Sequence, residues 1–214
     1  MHKTILAIET ASTICGVAVI QDGKCVSLIE KEANRKHAEI LPRFIQQSLE
    51  ESNHTIADLD TVAVSIGPGS FTGLRIGLGM AKGLTYSKDL PIIPVPTIAA
   101  IALGLKEIAP PSGIVLSHGN RVFYQEFKWV DNVPTPVQKP AVGDIEDFLP
   151  KLSQHTFHWN CDALIPKNQP IQIGTPSAKN VGLIGHHFFD EWVVEKPYDL
   201  VPEYIAPFEI KKPS

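Results

Sequence analysis

The chain has 214 residues, 43% of them hydrophobic and 20% charged, with a formal net charge of −4. Residues 1–104 hold nine Lys/Arg against ten Asp/Glu and the remainder ten against thirteen, so neither half has the basic excess of a protein that grips nucleic acid unaided. Three scattered cysteines without a Cys-x-x-Cys pair, a start too short in apolar residues for a signal peptide and no stretch of membrane-spanning length lead to the expectation of a cytoplasmic protein with free thiols.

The length and apolar share allow one large domain or two small lobes. Residues 4–9 are a short apolar run, expected as a buried strand. The β-rich runs on either side of Gln21-Asp22-Gly23-Lys24 predict a hairpin, since Asp-Gly suits a two-residue turn. Ile40, Leu41, Phe44, Ile45 and Leu49 recur at helical spacing and predict a helix over roughly 37–51, with Glu39 and Arg43 placed to pair. Pro42 then demands that the helix begin near Ala38 to Leu41 or kink. Residues 61–66 predict another strand and 72–87 a helix. An extended segment from Pro91 and a helix from Ile98, capped by Thr97, follow.

This β-β-β-α-β-α-β-α order is the layout of a ribonuclease-H-like α/β fold, three antiparallel strands continued by parallel ones. After it the composition changes, with sixteen of the eighteen prolines at or beyond Pro91. The later half offers one clear hairpin, around Ser117-His-Gly-Asn120. The expected division is a first lobe over residues 1–105 and a reduced second lobe over 106–214.

The densest signal is Gly67-Pro-Gly-Ser-Phe-Thr-Gly73, a tight turn between strand and helix, followed within the helix by Gly77, Gly79 and Gly83. Each interior glycine costs about 1 kcal/mol against alanine, which implies that something approaches the helix backbone closely. Gly73 and Gly77 share a side with Met80, Ala81 and Leu84, whereas Gly79 and Gly83 lie around the cylinder. One side can rest on the protein's own sheet. The other needs a second helix or another protein.

Enzymatic alternatives leave incomplete constellations. No Lys follows Gly73, so the turn is no P-loop, and the glycine spacing fits neither a dinucleotide fingerprint nor a nucleophile elbow. Glu9 and Glu39 could supply two of a nuclease's metal-binding carboxylates, but the fourth strand supplies none, and Glu9 is expected to contact the following turn or a helix end. Glu9, Thr10, Ser12 and Thr13 form either a phosphate-facing turn or a polar turn that bonds its own backbone. His37 lacks a second histidine one turn on, where Leu41 stands. His155, His158 and Cys161 have ligand types but no second pair, so no metal site is expected.

Ile5-Leu-Ala-Ile-Glu-Thr10, Arg35-Lys-His37 with Leu41-Pro42, the run from Ala63 to Gly77, Ala81-Lys-Gly-Leu84 and Pro94-Val-Pro-Thr97 together resemble the TsaB (YeaZ) family. Ser117-His-Gly-Asn-Arg121 and Pro202-Glu-Tyr204 continue the likeness. The resemblance implies an actin-like (ASKHA) fold and a non-catalytic paralogue of TsaD, the subunit that makes threonylcarbamoyladenosine beside the tRNA anticodon. It implies no cofactor held by this chain, ATP used by the complex, and as partners a TsaD-type subunit, a TsaE-type ATPase and tRNA; whether the chain is a homodimer or a monomer when alone is left open by the sequence. The catalytic relative's His-x-x-x-His becomes His37 with Leu41 here. The expected partner surface comprises Ile40, Leu41, Phe44, Ile45, Leu49, Gly73, Arg75, Ile76, Gly77, Gly79, Met80 and Leu84. An ATP-dependent transferase using the Glu9–Thr13 turn is the alternative, and a zinc peptidase has little support.

Overall fold

The computed structural model describes residues 2–86, 88–169 and 171–203. Its first sheet is built from β1 (Thr4–Glu9), β2 (Ile14–Gln21) and β3 (Lys24–Glu32), then β4 (Thr61–Gly67) and β5 (Ile92–Pro96), in the spatial order β3-β2-β1-β4-β5. β1 runs antiparallel to β2 and parallel to β4, and β5 continues in parallel. Between β2 and β3, Asp22 and Gly23 take φ values of 50° and 74°, the pair of positive angles that a two-residue hairpin matched to strand twist requires.

α1 (His37–Glu51) connects β3 to β4, α2 (Phe71–Tyr86) connects β4 to β5, and α3 (Thr97–Leu103) leaves β5. Pro42 lies inside an α1 that already begins at His37, so its missing N–H forgoes one bond of the second turn. Glu39 and Arg43 form no ion pair among the described residues. Thr97 is the first residue of α3 rather than its cap. Its hydroxyl accepts the Gly67 N–H at 3.1 Å and so ties the end of β4 to the start of α3.

The second sheet contains β6 (Ser112–His118), β7 (Arg121–Val130), β8 (Val133–Pro136) and β9 (Ala141–Asp144), then, after the single turn α4 (Ile145–Phe148), β10 (Phe157–Trp159) and β11 (Gln172–Ile173). Its order is β8-β7-β6-β10-β11, with β9 also on β7. β6–β7 and β7–β8 are antiparallel, and β6–β10 and β10–β11 are parallel. The second sheet therefore repeats the first in shortened form. Two such sheets, each three strands antiparallel and then parallel, make an actin-like, ribonuclease-H-like α/β fold.

α5 (Ala178–His187) and the short α6 (Phe189–Trp192) follow. A linear split after residue 105 does not describe α5, which packs on β1, β2 and β4 of the first sheet. Gly182 is what lets it lie so close, since a Cβ there would overlap the Ile20 side chain. Every residue of α3 is buried, because α3 and α5 fill the space behind the first sheet together with Ile5, Ala7, Ala63 and Phe157. On the opposite face, Leu6, Ile8, Val62 and Val64 pack against α1 and α2. No helix among the described residues is long and apolar enough to cross a membrane.

Candidate functional site

The glycine-rich junction is assembled around the β1–β2 turn. After Gly67 (φ 125°) the chain reverses, and the Ser70 N–H donates to the Ala11 carbonyl at 2.7 Å. Ser70 then caps α2: its hydroxyl accepts the Gly73 N–H at 3.2 Å, and its carbonyl accepts the Leu74 N–H at 2.8 Å. The Thr10 hydroxyl donates to the Gly73 carbonyl at 2.9 Å. A Cβ at Gly73 would overlap the Thr10 carbonyl oxygen, and one at Gly77 the Thr10 hydroxyl. The close approach on this side of α2 is thus made by the protein's own turn.

That packing decides the fate of the candidate phosphate-facing residues. Glu9 and Thr10 are fully buried. Glu9 Oε1 accepts the Ala11 N–H at 2.6 Å, contacting the following turn as expected, while Oε2 has no partner among the described residues. Burial pushes the Glu9 carboxyl up from 4.5 to about 7, against the lowering effect of the bonds from Ala11 and Ser65. Ser12 Oγ accepts the Ile14 N–H at 3.0 Å, an own-backbone turn. Thr13 is exposed. Thr10 is thus turned onto α2, and the Ser12 oxygen accepts within its own loop.

The histidines are similarly committed. His37 lies buried with Nε2 3.2 Å from the Ile14 carbonyl, and Leu41, one turn later, is wholly inside the core. His158 is buried on β10, its pKa lowered by burial, while His155 is exposed beside Gln154. Burial pushes the Cys161 thiol up to about 12, and Sγ lies 3.3 Å from the Trp159 carbonyl. Among the described residues no three metal-binding side chains converge.

The expected partner stripe divides in two. Leu41, Ile45, Leu49, Gly73 and Gly77 face the home sheet or its turn, because the fully apolar side of each helix is the side the core takes. Ile40, Phe44, Ile76, Met80 and Leu84 are half-buried at the margin of that core. Gly79 and Gly83 point outward, with no atom within 4 Å of where a Cβ would stand. Arg75 is exposed and lies over the Phe71 ring at 3.8 Å from its centroid. Phe71 itself was not anticipated; only its place at the start of α2 turns an ordinary turn residue into an exposed ring.

Sequence reasoning also missed a cleft of about 1100 Å³ between the lobes. One wall is the β3–α1 loop with Arg35 and the start of α2; the other is the β6–β7 hairpin with Arg121 and the end of β10 with Trp159. Of the C-terminal Pro202-Glu-Tyr204 signature, the Glu203 N–H donates to the Ile66 carbonyl at 2.8 Å, whereas Tyr204 lies outside the described residues.

Residues 28–176, from within β3 through β11, match the family model of TsaD, tRNA N6-adenosine threonylcarbamoyltransferase. The tRNA threonylcarbamoyladenosine biosynthesis protein TsaB of Haemophilus influenzae is 32% identical over 128 residues, 58% of this chain and 54% of that protein. The Escherichia coli protein of the same name is 40% identical over 100 residues, 47% of this chain and 43% of its own length. The chain belongs to this family, in its TsaB (YeaZ) branch. Its matched stretch spans about half the length of these curated TsaB relatives. The solved structure of YeaZ from Pseudomonas aeruginosa shares the fold over 94% of this chain and 99% of its own, with a TM-score of 0.80 at 22% identity. The YeaZ fold thus extends through the second lobe, where the sequence motifs thin out.

Proposed function

We propose that this chain is a non-catalytic subunit required for threonylcarbamoylation of the adenosine next to the anticodon, in tRNAs that read codons beginning with A. It binds and activates a TsaD-type catalytic subunit. A TsaE-type ATPase joins the complex, which consumes the ATP, and all three work in the cytoplasm. The names of the TsaB relatives and the TsaD family model support the process. The engagement of His37 by Ile14 and of Thr10 by Gly73 supports the absence of chemistry on this chain.

The observation that carries the reading is the outer face of α2, where Gly79 and Gly83 are open beside half-buried Ile76, Met80 and Leu84. Open glycines let a partner helix come below the usual spacing of about 8–10 Å. Ile40 and Phe44 of α1 extend that face. A second copy of the chain would use the same surface when the partner is absent. Co-purification with the TsaD-type subunit, followed by a tRNA modification assay with and without this protein, tests it. Full modification without this protein would refute the proposal.

A further inference from the structure

The interlobe cleft is the place where the chain's charge balance reverses. Arg35 on one wall and Arg121 on the other line it, and neither guanidinium has an ion-pair partner among the described residues. Glu203 is the one carboxylate among the described residues of the lining, in a chain of net charge −4. Arginines that line one concave space suit phosphate oxygens, which a planar guanidinium can bind in pairs. Trp159 lines the same space, and an indole ring can stack on a base.

The ligand's form follows from what the cleft lacks and from its size. The Thr10 hydroxyl donates to the Gly73 carbonyl and does not line the cleft, so of the turn's hydroxyls only Ser12 and Thr13 reach it. The cations stand on opposite walls, and about 1100 Å³ exceeds the roughly 300–1,000 Å³ usual for a single small ligand. We propose that the cleft holds a short single-stranded RNA segment, with phosphates on Arg35 and Arg121 and a base against Trp159. This rests on the reading that tRNA is the substrate of the complex, and it gives this chain a direct contact with that RNA.

The test is a titration of the full chain with a six-nucleotide oligoadenylate, read by tryptophan fluorescence, with Mg-ATP as the parallel arm. Quenching should be lost in Trp159→Phe, since Trp129 and Trp192 do not line the cleft. Two phosphate contacts predict that log affinity falls against log salt with a slope of about −1.4, roughly −0.7 per contact on a single strand. Arg35→Ala and Arg121→Ala should each weaken binding several-fold and halve the slope, at unchanged melting temperature. No quenching, or binding that survives the double variant, would overturn the proposal. Binding of Mg-ATP but not of the oligonucleotide would also overturn it, in favour of a free-nucleotide site. Complex formation with the catalytic subunit is measured on the same preparations, so loss of that association and loss of RNA binding are told apart.

Discussion

The Thr10 hydroxyl and the Gly73 carbonyl are joined by a 2.9 Å hydrogen bond that locks the β1–β2 turn onto the first turns of α2. Gly77, one turn further along, leaves the room that the hydroxyl occupies. The four helical glycines therefore serve two purposes, and substitution separates them. Gly77→Ala should destabilise by about 1–3 kcal/mol through overpacking, although alanine is the better helix former. Gly79→Ala, in open space, should stabilise by up to about 1 kcal/mol. Denaturant unfolding of both variants measures the contrast. Equal stabilisation in the two would mean that the turn gives way freely.

Gly79→Leu addresses the proposed partner face. The variant should keep its fold, because no atom lies within 4 Å of an added Cβ. It should weaken association with the TsaD-type subunit by about tenfold or more, roughly 1.4 kcal/mol. Calorimetry with purified subunits reads the affinity and thermal unfolding reads the fold. Wild-type affinity in a folded Gly79→Leu would move the interface away from this side of α2.

Glu9 should leave a pH signature. Its carboxyl is raised by burial to about 7 in the folded chain against 4.5 ordinarily, so the native state holds the proton more tightly than the unfolded one. Stability is then fully favoured below about pH 4.5, declines as pH rises to about 7, and levels off above it. Glu9→Gln should flatten that decline and gain about 1–3 kcal/mol at pH 8 relative to its difference at pH 4.5. Parallel unfolding curves across pH 4.5–8 check this, and an unchanged slope in Glu9→Gln would assign the decline to other groups.

His37→Ala separates the structural role from a metal role. Loss of the 3.2 Å contact with the Ile14 carbonyl should cost about 1–2 kcal/mol. Metal content should not change. Elemental analysis finding one zinc or iron per chain, absent from the variant, would reverse the assignment.

The legible features were those decided within a few residues. Asp22-Gly23 announces its hairpin because few residues tolerate two positive φ angles in succession. The apolar run of β1 and the helical spacing from Ile40 to Leu49 mark their elements by period alone. The glycines of α2 announce close contact through their cost. Helical periodicity relates one glycine to another, however, and is silent on which pair the sheet takes. Thr97 shows the same limit: its type and position suit a cap, but the nearby Gly67 N–H claims its hydroxyl.

By itself, then, the sequence determined the first lobe's strand and helix order, the tight turn before α2 and the family likeness, since each depends on backbone preferences and local spacing. Only the tertiary structure decided that Thr10 fills the space beside Gly73 and Gly77, leaving Gly79 and Gly83 outward. It also decided that α5 returns to the first sheet through Gly182, and that Arg35 and Arg121 line one cleft. Those relationships join residues far apart in the chain. They are set by which surfaces the two sheets bury between them, a global packing outcome that no local pattern encodes.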